Sequence, residues 1–332
     1  MRPKATLKNI SKNLNLSIST VSRALKDHPD ISEETKKRVM EAASLLEYEP
    51  NTYAINLRTN QSRTFGLMVP EISNFFYHSF ISAVEEESRK MGFSLLILQS
   101  GDDPAVELEN LRICRLNRVE GLFVCLSTHT KDIKPFLKLD EAGVPVLFFD
   151  KVPSFEACNR ICVADEEAGT LAASALLAKN PRHILALFGD PDLLITQKRQ
   201  HSFMGTVARH ETPIPVTIRY ANNKEEALRE TADCLESDNP PDSLFTMSDQ
   251  LLTGALKAIQ KKRLHIPDSI KVISICNDGF IPSLFEPEIT YVETSGYQLG
   301  KLAMRRMADH RNGKTFVQEL LLPCRLIEGG SL

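Results

Sequence analysis

The sequence predicts a small all-α unit of helix-turn-helix form, followed by a larger α/β body of two lobes, each a parallel sheet with helices on both faces. Three observations predict it. The first fifty residues carry short apolar-periodic segments separated by polar turns, whereas from Phe65 onward brief apolar runs alternate with helical stretches. The length, 332 residues, exceeds one ordinary core and suits two or three domains. The charge is also uneven: residues 1–63 hold 11 Lys/Arg against 7 Asp/Glu, leaving 29 against 36 for the rest. A basic front on an acidic body expects only the front to meet a polyanion.

Thr6 suits the N-cap of a first helix through Leu14, with Leu7, Ile10 and Leu14 on one face. Asn15 suits the turn, and Ser17 caps a second helix from Ile18 to about Leu25. Val21, Ala24 and Leu25 form its buried side, while Ser19, Ser22 and Arg23, at i, i+3 and i+4, share the opposite face. Two helices joined by so short a turn, the second presenting small polar residues and an arginine, describe a helix-turn-helix. A third helix starts at Asp30 or Ser32, with Glu33 and Glu34 at its positive end and Ile31, Val39, Ala42, Leu45 and Leu46 available for packing. Pro50 stops it, and Asn51 can cap a short helix through about Arg58, too short to hold alone in water.

In the body, "FGLMVP", "SLLILQS", "GLFVCLS" and "VPVLFFD" are buried-strand candidates, and "HILALFGD", "VTIRYAN", "SLFTMSD" and "IKVISICND" repeat the scheme. No Gly-x-Gly-x-x-Gly follows a strand and no Walker loop appears, which excludes dinucleotide and NTP binding of those kinds. No metal-spaced histidines, Gly-x-Ser-x-Gly elbow or Ser/His/Asp set appears, so neither an enzyme nor a metal or cofactor site is expected. Seven scattered cysteines without a zinc pattern, no bilayer-length apolar run and no apolar stretch behind the charged start lead us to expect a reduced, cytoplasmic protein.

The stretch "TLKNISKNLNLSISTVSRAL…ISEETKKRVMEAASLLEYEPNTYAINLR" closely resembles the DNA-binding headpiece of the LacI/GalR family of transcriptional regulators, over some fifty continuous residues. The resemblance implies a helix-turn-helix headpiece at 1–49, a hinge helix and linker at 50–62, and at 63–332 a periplasmic-binding-protein-like core of two doubly wound parallel-sheet lobes. It further implies that the chain crosses between lobes near Val163, Val292 and Cys324. Lobe 1 then takes about 63–163 and 293–322, and lobe 2 about 164–292 with 323–332.

By position, the resemblance puts Ile18 and Ser19 at base edges, with Arg23 also facing the groove and able to contact guanine. Thr20 and Ser22 would bond phosphates, with Thr6 and Ser17 at helix N-termini completing the headpiece contacts. Ile18 is also i−3 to Val21, so groove and core both stand open for it. Leu57 falls at the family's minor-groove wedge, flanked by Ala54 and Arg58 along the groove; its alternative is a linker leucine packed on the next domain.

For the cleft, the same transfer names Phe76 and Tyr77 at the mouth, either stacking on a ring or packing as core. Asp150 matches a hydroxyl-binding carboxylate, with Lys151 beside it. Asp165 either lines the cleft or caps the next helix, Arg199 matches an effector-clamping arginine, and Ser248 and Asp249 stand at a strand end. Asn277 stands where the family usually has a ligand-binding aspartate. Losing that charge while keeping Lys151 and Arg199 would make the cleft more cationic, so a sugar or sugar derivative is expected, phosphate or carboxylate being an open option. The resemblance therefore implies a repressor of operator DNA controlled by such an effector. The chain ends "RLIEGGSL" without leucine heptads, for which a homodimer is expected. The competing expectation is a solute-binding protein with the same core.

Overall fold

The structure is a computed structural model and describes residues 5–48, 61–153, 157–314 and 316–332. The chain divides into two units, Met1–Ser62 and Arg63–Leu332. The expected hinge helix, with Ala54, Leu57 and Arg58, lies outside the described residues.

Local chemistry shapes the first unit. Helix α1 (Leu7–Leu14) begins at Thr6, whose hydroxyl accepts from the Asn9 N–H while its own N–H donates to Asn9 Oδ1. Asn15, in the left-handed region at φ 53°, ends it. Helix α2 (Ile18–Ala24) starts at Ser17, whose Oγ accepts from Thr20 N–H at 3.0 Å. Helix α3 (Glu33–Leu45) starts at Ser32, the second of the two expected caps, with Glu33 and Glu34 in its first turn. Ile10, Val21, Ala24, Val39, Ala42 and Ala43 form the buried centre. Leu45, expected in that core, is instead 85% exposed. Val39, Ala42, Ala43 and Leu46 fall at i, i+3, i+4 and i+7 and face inward, which turns residue 45 to the far side.

In the second unit, β1 (Thr64–Val69), α4 (Phe75–Lys90), β2 (Ser94–Gln99), α5 (Pro104–Leu116), β3 (Leu122–Val124), α6 (Lys134–Glu141), β4 (Val146–Phe149) and β5 (Arg160–Val163) build the first lobe. Then α7 (Asp165–Leu177), β6 (Ile184–Phe188), α8 (Leu194–Ala208), β7 (Val216–Tyr220), α9 (Lys224–Leu235), β8 (Ser243–Thr246), α10 (Asp249–Lys261), β9 (Lys271–Asn277) and β10 (Thr290–Thr294) build the second. Helix α11 (Gly296–Arg311) packs back on α4. Strands β11 (Glu319–Leu322) and β12 (Arg325–Ile327) then close one edge of each sheet.

The sheets, six-stranded among the described residues, run β11-β5-β4-β3-β1-β2 and β12-β10-β9-β8-β6-β7. The pairings are parallel except β12 on β10. In the first sheet, alternation splits the core. Phe65, Leu67 and Val69, with Phe123 and Phe149, face α4 and α11, while Met68, Val124 and Phe148 face the other side. Strand β10 stays in the second sheet through Thr294, which pairs with Asn277.

Candidate functional site: an exposed helix face and an interlobe cleft

Helix α2 buries Val21 and Ala24 and turns Ile18, Ser19 and Arg23 outward, Ile18 being 48% exposed. An isoleucine left in water at the start of a recognition-type helix is not a core residue. The hydroxyls of Ser19 and Thr20 lie 2.7 and 2.8 Å from Ser17 Oγ, a cluster of hydrogen-bonding groups at one helix end. Ser22 is half-buried beside them, and Thr6, one helix earlier, is exposed. Arg23 leans on Asp30 at 3.7 Å with 58% of its side chain exposed. So loose a surface pair leaves the guanidinium available to another anion.

The second feature is a cavity of about 940 Å³ between the two lobes of the body. Its floor is made by residues at and just beyond the carboxyl ends of strands, where ligands of open parallel sheets sit: Asp150 after β4, Asp190 after β6, Ser248 after β8 and Asn277 at the end of β9. Asp150 holds a left-handed backbone, φ 57°, which turns the chain sharply off the strand.

The aromatic pair at the mouth divides. Both line the cavity, but Phe76 is half-buried, whereas Tyr77 is buried, stands edge-on to it at 6.0 Å and donates its hydroxyl to Asp150 Oδ2 at 2.9 Å. Burial, with Asp150 alongside, pushes the Tyr77 phenol well above its ordinary range, so it stays a donor. Lys151 Nζ donates to Asp102 Oδ1 at 3.0 Å and to Thr128 Oγ1 at 2.7 Å.

Arg199 is 6% exposed; its Nε donates to Asp165 Oδ1 at 2.8 Å and its Nη1 to the Met247 carbonyl at 2.7 Å. Asp165 meets neither expectation set for it. It is the first residue of α7 after the N-cap Ala164, makes no capping bond, and is not among the described residues lining the cavity. Its place is behind Arg199, and burial raises its carboxyl to about 6 against the pull of that arginine. Ser248 lines the cavity and caps α10 by accepting from Leu251 N–H.

The three lysines and arginines lining the cleft, Lys151, Arg199 and Lys224, therefore each already face a carboxylate of their own chain, and Asp150, Asp190 and Asp249 add acidic walls. The cationic cleft expected from Lys151 and Arg199 does not form, because the sequence argument counted those charges without their partners.

Sequence reasoning missed Asp102 and Asp190, and named Asp249 only as the neighbour of Ser248 at a strand end. The first two sit in Gly-Asp pairs just after strand runs, "SGD" and "FGD", a readable turn signal at a sheet's ligand-binding end. Asp249 accepts from the Asn277 backbone N–H at 2.8 Å, and burial raises it to about 6. Among the described residues no disulfide joins the seven cysteines, six of which are buried, and burial pushes Cys114 up to about 12, as suits packing rather than reactivity. Among the described residues no group of three His, Cys, Asp or Glu could hold a metal, and no helix is long and apolar enough to cross a membrane.

Comparison with known proteins adds two family matches: bacterial regulatory proteins of the lacI family over residues 6–51, and a periplasmic binding protein-like domain over residues 173–332. The HTH-type transcriptional repressor PurR of Vibrio parahaemolyticus is 26% identical over 312 residues, 93% of each chain. Among solved structures, the Lac repressor dimer bound to operator and the anti-inducer ONPF superposes with a TM-score of 0.87 at 21% identity, over 99% of each chain. A complex of the transcriptional regulator CelR with cellobiose gives 0.72 at 21% identity, over 99% of this chain and 100% of that one. The outward face of α2, the paired lobes and these matches lead to one assignment: the chain joins a domain of the lacI family of bacterial regulatory proteins, at residues 6–51, to a periplasmic binding protein-like domain, the make-up of a DNA-binding transcriptional regulator.

Proposed function

We propose that two copies of this chain bind a near-palindromic operator and repress transcription, and that a neutral carbohydrate in the interlobe cavity sets how tightly they hold. The observation that carries the reading is α2: it buries Val21 and Ala24 on one side and turns Ile18, Ser19 and Arg23 to solvent on the other. Ile18 offers an apolar surface to thymine methyls, and Arg23 a fork for guanine O6 and N7. Ser17, Thr20 and Ser22, with Thr6 one helix earlier, supply hydroxyls for phosphates. Leu57, between Ala54 and Arg58, is assigned the wedge that opens the central base step when two hinges meet. The homodimer follows the Lac repressor dimer seen on its operator.

For the effector, the internally paired cations favour a neutral ligand over an anionic one. Phe76 offers a ring face, and Asp150, Asp190 and Ser248 offer partners for hydroxyls, with Lys151 and Arg199 as donors fixed by their own pairs. The cellobiose held by CelR belongs to the same ligand class. Control then works by population shift: the effector favours one degree of lobe closure, and closure decides whether the hinges pair.

Selection of duplexes from random DNA by the full chain tests this. A palindromic sequence should emerge, and Arg23→Ala should relax one position in each half-site at a cost of ~1–3 kcal/mol. Recovery of no preferred duplex, together with saturable carbohydrate binding, would instead favour a solute-binding protein.

A further inference from the structure

Asn277 ends β9 in the second lobe, yet its side chain reaches three points of the first. Its amide N–H donates to the Phe75 carbonyl at 3.2 Å. Its carbonyl oxygen accepts from the Gly296 N–H at 2.8 Å and from the Ser79 hydroxyl at 3.1 Å, a proton that Ser79 shares with the Phe76 carbonyl at 3.0 Å. Phe75 and Gly296 are the first residues of α4 and α11, so a single amide head gathers the starts of both helices. Asp249, also in the second lobe, fixes the other end by accepting from Asn277 N–H at 2.8 Å. Only 6% of Asn277 is exposed, so these bonds are sheltered from competing water.

The neighbouring residues are shaped to permit the contact. A Cβ at Gly296 would come 2.3 Å from the Phe76 carbonyl oxygen and 2.4 Å from Ser79 Oγ, so a side chain there would push α11 off α4 and take the N–H out of reach. After β9 the chain reverses through Asp278 at φ 49° and Gly279 at φ 67°. The reversal brings the Phe280 ring within 5.5 Å of Phe75, a second contact between the lobes beside the first.

We propose that Asn277 is a cross-lobe latch, an amide that fastens the second lobe to the helix starts of the first and sets the resting closure of the cleft by protein contacts alone. The chemistry requires an amide. A carboxylate could accept from Ser79 and Gly296, but it has no proton for the Phe75 carbonyl and would set two acceptors face to face. With both lone pairs of its oxygen occupied, residue 277 presents a ligand with no more than one remaining N–H. Recognition of hydroxyls at that wall passes to other residues. The latch concerns the body alone and stands whether or not the chain binds DNA.

The test uses the full-length chain carrying nitroxide amino acids at the exposed Lys131 and Glu225, one on each lobe, diluted with unlabelled chain and measured by pulsed dipolar spectroscopy. Wild type should give one narrow distance. Asn277→Asp should broaden it toward longer values and speed hydrogen exchange at the Gly296 amide at least tenfold. Ser79→Ala, which removes one hydroxyl from a half-buried position, should shift the distance in the same direction by less, and it decides the matter should the aspartate variant fail to fold. A broad wild-type distribution, or a distribution unchanged in Ser79→Ala and in a folded Asn277→Asp, overturns the proposal.

Discussion

Asp102 of the first lobe and Asp165 of the second each meet one cation, at 3.0 Å from Lys151 and 2.8 Å from Arg199. Their titration nevertheless runs in opposite directions. Burial acts to raise Asp102, but hydrogen bonds from Thr128 and the charge of Lys151 overcome it and hold the carboxyl below its usual range. At Asp165 burial prevails over Arg199 and lifts the carboxyl to about 6. The side chains explain the contrast: Asp102 is 40% exposed, whereas Asp165 and Arg199 are 5% and 7% exposed. Two ion pairs of nearly the same length thus differ in kind, because water remains on one and has been removed from the other.

The largest expected effect comes from breaking the dry pair on one side. Arg199→Met leaves Asp165 buried and unpaired and should cost about 3–5 kcal/mol in urea unfolding of the body. The double change with Asp165→Asn should recover most of that loss. A double variant as unstable as the single would mean that packing, not charge, holds this site.

Next comes a pH experiment on the buried carboxylates. Asp165 and Asp249 have folded values near 6, above the ordinary 3.8, so the folded protein binds their protons more tightly than the unfolded chain does. The stability they contribute is full below about pH 4 and is lost as pH rises toward 6. Asp249→Asn removes one of these titrations. Between pH 4 and 7 the unfolding free energy of the variant should gain ~1–3 kcal/mol relative to wild type. Parallel pH profiles would show that Asp249 titrates normally and that the contrast between lobes rests on Asp165 alone.

The smallest effect belongs to the wet pair. Lys151→Met should change stability by less than ~1 kcal/mol, because Asp102 keeps its Thr128 N–H at 2.9 Å and its contact with water. A loss as large as that at Arg199 would erase the distinction drawn between the lobes.

The sequence shows what repeats and conceals what pairs at long range. The helix caps at Thr6, Ser17 and Ser32 depend on residues three apart, and the buried strands are continuous apolar runs, so both are visible without a structure. Strand β5 was harder to read: "RICV" is short and begins with Arg160, which is accommodated by an ion pair to Glu319 at 3.4 Å from an edge strand far along the chain. In the cleft, residue types could be transferred by position, but their partners could not. Lys151 finds Asp102 and Arg199 finds Asp165 over separations of 49 and 34 residues, and the contacts of Asn277 with Ser79 and Phe75 span about two hundred. Charge tallied from sequence therefore misjudged the cleft, while the caps and core of the first unit, built from local chemistry, depart from expectation at Leu45.

Strands β11 and β12 lie within nine residues, Glu319–Ile327, and each finishes a different sheet. A chain emerging from the ribosome has most of both lobes long before either has its outer strand. Beyond β12, buried Ser331 binds the Val272 carbonyl and the Thr290 N–H. During synthesis, then, the two lobes remain unfinished together and are completed almost at the same moment, whereas the headpiece, with all its partners inside the first fifty residues, can settle on its own.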